Sequence, residues 1–176
     1  MNAWRVLVTA AATGAVVSGG ILVAQANQAP AAEDQPSAVE DYSYPGREKI
    51  LAEDNVKLVS GDGHIIYADC DQPPTGPIGL IEVHSTDITV GKGEDGVVCF
   101  KVIGSNGFLT LLLPDVFEVY GDGRQPGTGH KGKAEVVSQS SGQHKIVDLN
   151  PSGSAQVGVG SPGGEPSTLL RLEITG

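Results

Sequence analysis

Large aromatic side chains are scarce in this 176-residue chain: three Phe, four Tyr and a single Trp, Trp4, near the N-terminus. Carbohydrate platforms usually expose such rings, so stacking falls to Tyr42, Tyr44, Tyr67 and Tyr120, of which Tyr67 and Tyr120 sit in strand-like runs. Basic residues are also few, eleven Lys and Arg against twenty-one Asp and Glu. A surface of that sign repels phosphate backbones and anionic headgroups, which disfavours nucleic-acid and peripheral membrane binding.

Catalytic and metal motifs are thin as well. No Gly-x-Ser-x-Gly pattern occurs, and Ser105 and Ser154 lie in Gly-containing turns where serine is ordinary. The four histidines, His64, His84, His130 and His144, lack the helical or knuckle spacings of a zinc site. His84 is expected to share a polar strand face with Glu82, and His144 with Asp148. No cofactor is called for. Calcium is the one ion with candidate ligands, Asp62, Asp69, Asp71, Glu94, Asp95 and Asp122 in or beside Gly-rich loops, although none forms an EF-type loop.

What is present begins with an export pattern. Arg5, an apolar run from Val6 to Val23 and the small-x-small site Ala24-Gln25-Ala26 read as a secretory signal peptide over residues 1–26. Twin arginines and a cysteine near the cleavage site are both missing, which points to export as an unfolded chain without a lipid anchor. On this reading the chain is secreted and meets the membrane only during export. Removing residues 1–26 takes away one basic residue and no acid, leaving ten Lys and Arg against twenty-one acids, a net charge of −11. Residues 27–44, opening NQAPAAEDQPSAVED, are rich in Ala, Pro and acids and read as a disordered linker. Residues 45–176 are expected to form one domain.

Cysteine occurs twice, as Cys70 and Cys99. In an oxidising compartment such a pair in a small domain reads as a disulfide, and a bridged loop of about thirty residues stabilises by about 3 to 4 kcal/mol on chain-entropy arithmetic.

The remaining pattern predicts an all-β fold. A short helix is expected from Pro45 to Glu53. From Val56 onward apolar residues alternate, with Gly, Pro, Asn or Asp interrupting every eight to twelve residues. Strands are predicted over 56–60, 64–70, 80–85, 97–103, 108–113, 117–120, 133–138, 144–149, 155–159 and 169–174. Leu109, Leu111 and Leu113 are expected on one inner face, and Leu170, Leu172 and Ile174 on another. Asn106-Gly107 suggests a hairpin between 97–103 and 108–113, and Ser140-Ser141-Gly142 a second. That number of short strands fits an antiparallel β-sandwich, Ig-like or jelly-roll-like, with the topology undetermined.

One loop stands out. Asp71-Gln72-Pro73-Pro74-Thr75-Gly76-Pro77-Ile78 combines three prolines with a covalent anchor at Cys70, and a stiff exposed loop loses little entropy on docking. Gln72, Pro73, Pro74, Thr75 and Pro77 are therefore candidate contacts for a partner, an extracellular protein or a cell-envelope ligand. The expected role is a non-catalytic binding module; the alternatives are a small extracellular hydrolase and a protease-inhibitor-like protein using residues 71–78.

Three stretches, KLVSGDGHIIYADC at 57–70, VCFKVIGSNGFLTLLLPDVFEVYGDG at 98–123 and TLLRLEITG at 168–176, together resemble a group of small exported actinobacterial proteins without an assigned activity. The resemblance implies secretion and a shared β scaffold, and it carries no catalytic motif.

Overall fold

Alternation of buried and outward side chains organises the structure, and β-strand geometry is its cause, since successive Cβ atoms leave a pleated chain on opposite sides. The computed structural model describes residues 42–176. Residues 1–26 and 27–41, where the signal peptide and most of the linker are expected, lie outside the described residues.

A helix, α1 (Arg47–Asp54), precedes β1 (Lys57–Gly61), β2 (Ile65–Ala68), β3 (Ile81–Ser85), β4 (Val97–Val102) and β5 (Gly107–Leu113). Then come β6 (Val116–Tyr120), β7 (Lys131–Ser138), β8 (His144–Leu149), β9 (Ser154–Gln156), a 3-10 turn at Gly158–Gly160, and β10 (Ser167–Thr175). The strands form two five-stranded sheets, ordered β1-β5-β10-β7-β8 and β2-β4-β3-β6-β9, with every neighbouring pair antiparallel. The all-β sandwich is therefore present, and its strand order is now defined.

The inner faces supply the core. Leu109, Leu111 and Leu113 of β5 are fully buried, as are Leu169 and Leu172 of β10. They share one apolar cluster with Ile65, Ile81, Val83, Val98, Phe100 and Val119 of the second sheet. Each such side chain contributes about 1.5 to 3 kcal/mol by leaving water.

The face expected in β10 is corrected by a bulge. Pairing with β7 sets Leu169 and Arg171 against the adjacent residues Val136 and Glu135, so Leu170 is the extra residue there; the register against β5 shifts at the same place, with Leu113 and Thr110 opposite the same two residues. The inner set becomes Leu169, Leu172 and Ile174, while Leu170 stays partly exposed.

The Asn106-Gly107 hairpin is also corrected. β4 and β5 belong to different sheets, so this segment is an arch between layers. Neither residue has a positive φ. A Cβ on Gly107 would come within 2.6 Å of the His64 Cβ, so glycine serves close approach here rather than a left-handed turn. The Ser140-Ser141-Gly142 segment does join paired strands, β7 and β8, with Gly142 at φ 68°.

Folded chain begins before the expected linker end at residue 44. Ser43 bridges Ser60, the Gly61 N–H donates to the Tyr42 carbonyl and the Tyr44 N–H to the Val59 carbonyl. Tyr44 is buried in the core cluster, and its hydroxyl accepts the Tyr67 N–H at 2.7 Å. One side chain thus connects the open edge of β1 in one sheet to that of β2 in the other. The Tyr67 hydroxyl beyond it is buried without a hydrogen-bond partner of good geometry, and burial first, then the nearby Asp54 charge, raises its pKa. Helix α1 buries no residue completely, although Ile50 packs partly against the core. It starts at Gly46, φ 70°, and stops at Asn55, φ 53°.

Cys70 and Cys99 are bridged, with Cα atoms 5.3 Å apart. Cys99 pairs with Ala68 across β4 and β2 and lies on the face opposite the core residues Val98 and Phe100. The bridge therefore fastens the chain leaving β2 over the outside of the second sheet. Replacing Cys70 with Ser is expected to cost about 3 to 4 kcal/mol and to lower the melting temperature by on the order of 10 °C. Thermal denaturation followed by circular dichroism checks this; an unchanged midpoint contradicts it.

Candidate functional site: the anchored loop rim

At the end of β2 the chain turns through Asp69, whose Oδ1 accepts the Asp71 N–H and whose carbonyl accepts the Gln72 N–H. Gln72, Pro73, Thr75 and Pro77 are exposed, and Pro74 is half-buried. A second loop, residues 121–130, holds this one in place. Arg124 donates through Nη1 to the Pro74 carbonyl at 3.0 Å and through its backbone N–H to the Pro77 carbonyl at 2.9 Å. Thr128 Oγ1 reaches the same Pro77 carbonyl, and the Gly79 N–H donates to the Asp122 carbonyl. All five predicted contact residues therefore lie in one rim, fixed at one end by the disulfide and at the other by backbone hydrogen bonds. Pro73 and residues 121–124 line a shallow groove of about 210 Å³ together with Cys70, Glu82 and Tyr120.

The second loop has its own anchor, which composition alone did not reveal. Asp122 has a fully buried carboxylate, and it accepts the His130 backbone N–H at 2.8 Å and approaches the His130 ring at 2.6 Å. Glycines let the backbone crowd around it. A Cβ at Gly123 or Gly129 would fall 2.3 Å from the carbonyl oxygen of Thr128 or Pro151 respectively. Asp62, in the similar Gly61-Asp62-Gly63 segment, accepts the backbone N–H groups of His64 and Phe108. A Gly-Asp-Gly segment is the sequence signal common to both places, with His64 directly after the first and His130 seven residues after the second.

Every histidine lies beside a carboxylate. His64 is 3.6 Å from Asp62, His84 3.5 Å from Glu82, His130 2.6 Å from Asp122 and His144 2.8 Å from Glu135. The expected His84–Glu82 neighbourhood is present. Asp148 shares the face of His144 but takes Lys133 as its partner, at 2.8 Å, because those two residues are in direct register. Among the described residues no serine, threonine or cysteine side chain hydrogen-bonds a histidine ring. Ser105 and Ser154 do not meet a histidine.

No protein-family profile and no curated protein matches the chain.

The acidic loop residues considered for calcium are not brought together: among the described residues no group of three or more His, Cys, Asp or Glu side chains is arranged to hold a metal ion. Instead Asp62, Asp69, Asp95 and Asp122 accept nearby backbone N–H groups. No helix of the described residues is long and apolar enough to cross a membrane.

A larger groove, about 550 Å³, opens between the β7–β8 hairpin and the chain from Gly158 to Ser167. Its focus is Glu165, whose Oε2 accepts the hydroxyls of Ser138, Ser140 and Ser141. Hydrogen bonds to the ionised form, from Ser138 first and Ser140 next, lower the Glu165 pKa below its ordinary 4.5. The lowered pKa makes Glu165 a weak proton acceptor toward these hydroxyls.

Two outcomes follow from these geometries. Asp122→Ala removes a buried acceptor of two His130 hydrogen bonds and is expected to destabilise by about 2 to 3 kcal/mol in urea denaturation. Stability supplied by the Glu165 cluster is fully present above pH 4.5 and is lost as pH falls through the lowered pKa. Glu165→Gln is accordingly expected to flatten the acid limb of a stability-against-pH curve while changing little at pH 7; an unaltered limb contradicts the assignment.

Proposed function

We propose that the chain is an exported, non-catalytic binding module that presents residues 71–78 to an extracellular protein or cell-envelope ligand. The observation that carries this reading is the combination of exposure and restraint in the loop: Gln72, Pro73, Thr75 and Pro77 are exposed while Arg124 and Thr128 grip the carbonyls of Pro74 and Pro77. Binding to such a segment loses little conformational entropy, because proline and the anchors have already restricted it. The bridge at Cys70 supports secretion, since disulfides persist in oxidising compartments. Protease inhibition is the specific form in which the partner is an enzyme whose cleft receives the loop.

The test uses the purified protein as bait in native culture supernatant, beside a variant with Gln72, Pro73, Pro74, Thr75 and Pro77 replaced by Gly or Ser. Capture of one reproducible partner by the wild type and not by the variant is the expected result. Arg124→Ala is expected to weaken capture roughly tenfold through loss of preorganisation, with the melting temperature nearly unchanged. Equal capture by all three proteins contradicts the proposal. Undiminished activity of extracellular proteases under excess protein removes the inhibitor form.

A further inference from the structure

Four strands lie at the margins of the two sheets, and three are covered or short. The segment 42–44 pairs along β1, the Tyr44 hydroxyl takes the Tyr67 N–H on β2, and β9 has only three residues. β8 is different. Its six residues pair with β7 on one side and, among the described residues, with no strand on the other.

The direction of its free groups follows from the ladder. The Ser138 N–H donates to the Gln143 carbonyl at 2.9 Å, which makes residues 138 and 143 a hydrogen-bonded pair. Alternation along the antiparallel register then places 136/145, 134/147 and 132/149 in bonded pairs, so His144, Ile146 and Asp148 turn their N–H and C=O groups outward. Their side chains share the outer face, where Ile146 is 65% exposed, one of the most exposed large apolar side chains among the described residues.

We propose that β8 pairs with β8 of a second copy of this chain, antiparallel about a two-fold axis at Ile146. The sequence HKIVDL is self-complementary in that register. His144 faces Asp148 of the second copy, Ile146 faces Ile146, and each outward residue exchanges both backbone hydrogen bonds with its opposite. Charges then alternate across the seam. Lys133 contacts Asp148 within one copy, Asp148 faces the other copy's His144, and that histidine contacts its own Glu135. Shifting the axis by one residue is worse in either direction: centring on Lys145 opposes two ammonium groups, and centring on Val147 sets Ile146 against Asp148. Lys145 leaves the seam free because it points to the opposite face, lining the groove that contains Glu165. The result is one continuous sheet of ten strands across two copies. This inference does not depend on the partner proposed for residues 71–78.

Sedimentation velocity on the purified protein up to millimolar concentration is expected to show a reversible monomer–dimer equilibrium. Ile146→Lys opposes like charges on the axis, and Ile146→Pro removes the central outward N–H without touching the β7 ladder. Both are expected to weaken the dimer roughly tenfold or more while retaining the wild-type circular dichroism. Ile146→Cys reads the register, because facing residues in a bonded pair have Cα atoms about 5.5 Å apart, within disulfide reach. It is expected to cross-link copies under mild oxidation, and Ile103→Cys, exposed on the other sheet, is not. A protein that stays monomeric throughout, a dimer indifferent to Ile146→Lys, or equal cross-linking at Ile103 overturns the proposal.

Discussion

The structure depends on two apolar faces that are stable only against each other. β5 and β10 lie inside the first sheet, β4 and β3 inside the second, and their inward residues, from Leu109 and Leu172 to Phe100 and Val83, exclude water from both sides of one layer. Neither sheet alone hides its face. Burial of this layer outweighs the entropy lost in ordering a glycine-rich chain, and it forces the path of the backbone, which must cross repeatedly between layers.

Those crossings explain where the polar chemistry sits. The connections β1–β2, β4–β5, β5–β6, β6–β7, β8–β9 and β9–β10 all pass from one sheet to the other, so they cannot use a hairpin ladder. Side chains replace it. Asp62 holds the first crossing through His64 and Phe108, Ser85 Oγ donates to the Pro114 carbonyl near the third, and Asp122 holds the fourth through His130. Each carboxylate terminates N–H groups that would otherwise be unsatisfied at a layer edge. Asp62 and Asp122 therefore have a structural role at the layer edge. The loop rim is a by-product of the same arrangement, because the loop that Asp122 organises is the one that grips residues 71–78.

Tyr44, the disulfide and β8 illustrate three treatments of a sheet margin. Tyr44 covers two edges at once, the bridge fastens chain over the outer face of β4, and β8 has no strand on its outer edge among the described residues. An unprotected edge invites another strand, and the acidic net charge of the chain works against indiscriminate association. A short self-complementary sequence reconciles the two, admitting one partner in one register.

Much was legible in the sequence wherever the determinant is local. Alternation in β5 and the β7–β8 turn with its glycine each depend on neighbours a few residues apart, and both appear in the structure, as does the bridge that the two cysteines suggest. Leu170 departs from the expected inner face because a bulge adds one residue and reverses sidedness across it, an effect set by pairing with β7 rather than by the strand's own pattern. The Asn106-Gly107 segment became an arch for a related reason: its flanking strands gain more by joining different layers than by pairing with each other. Sequence by itself determined strand content, covalent potential and, where no bulge intervenes, sidedness. Strand order, the Asp122–His130 anchor, the Arg124 grip on the proline loop and the exposure of β8 were decided only by tertiary structure, because each requires groups distant along the chain to meet in space.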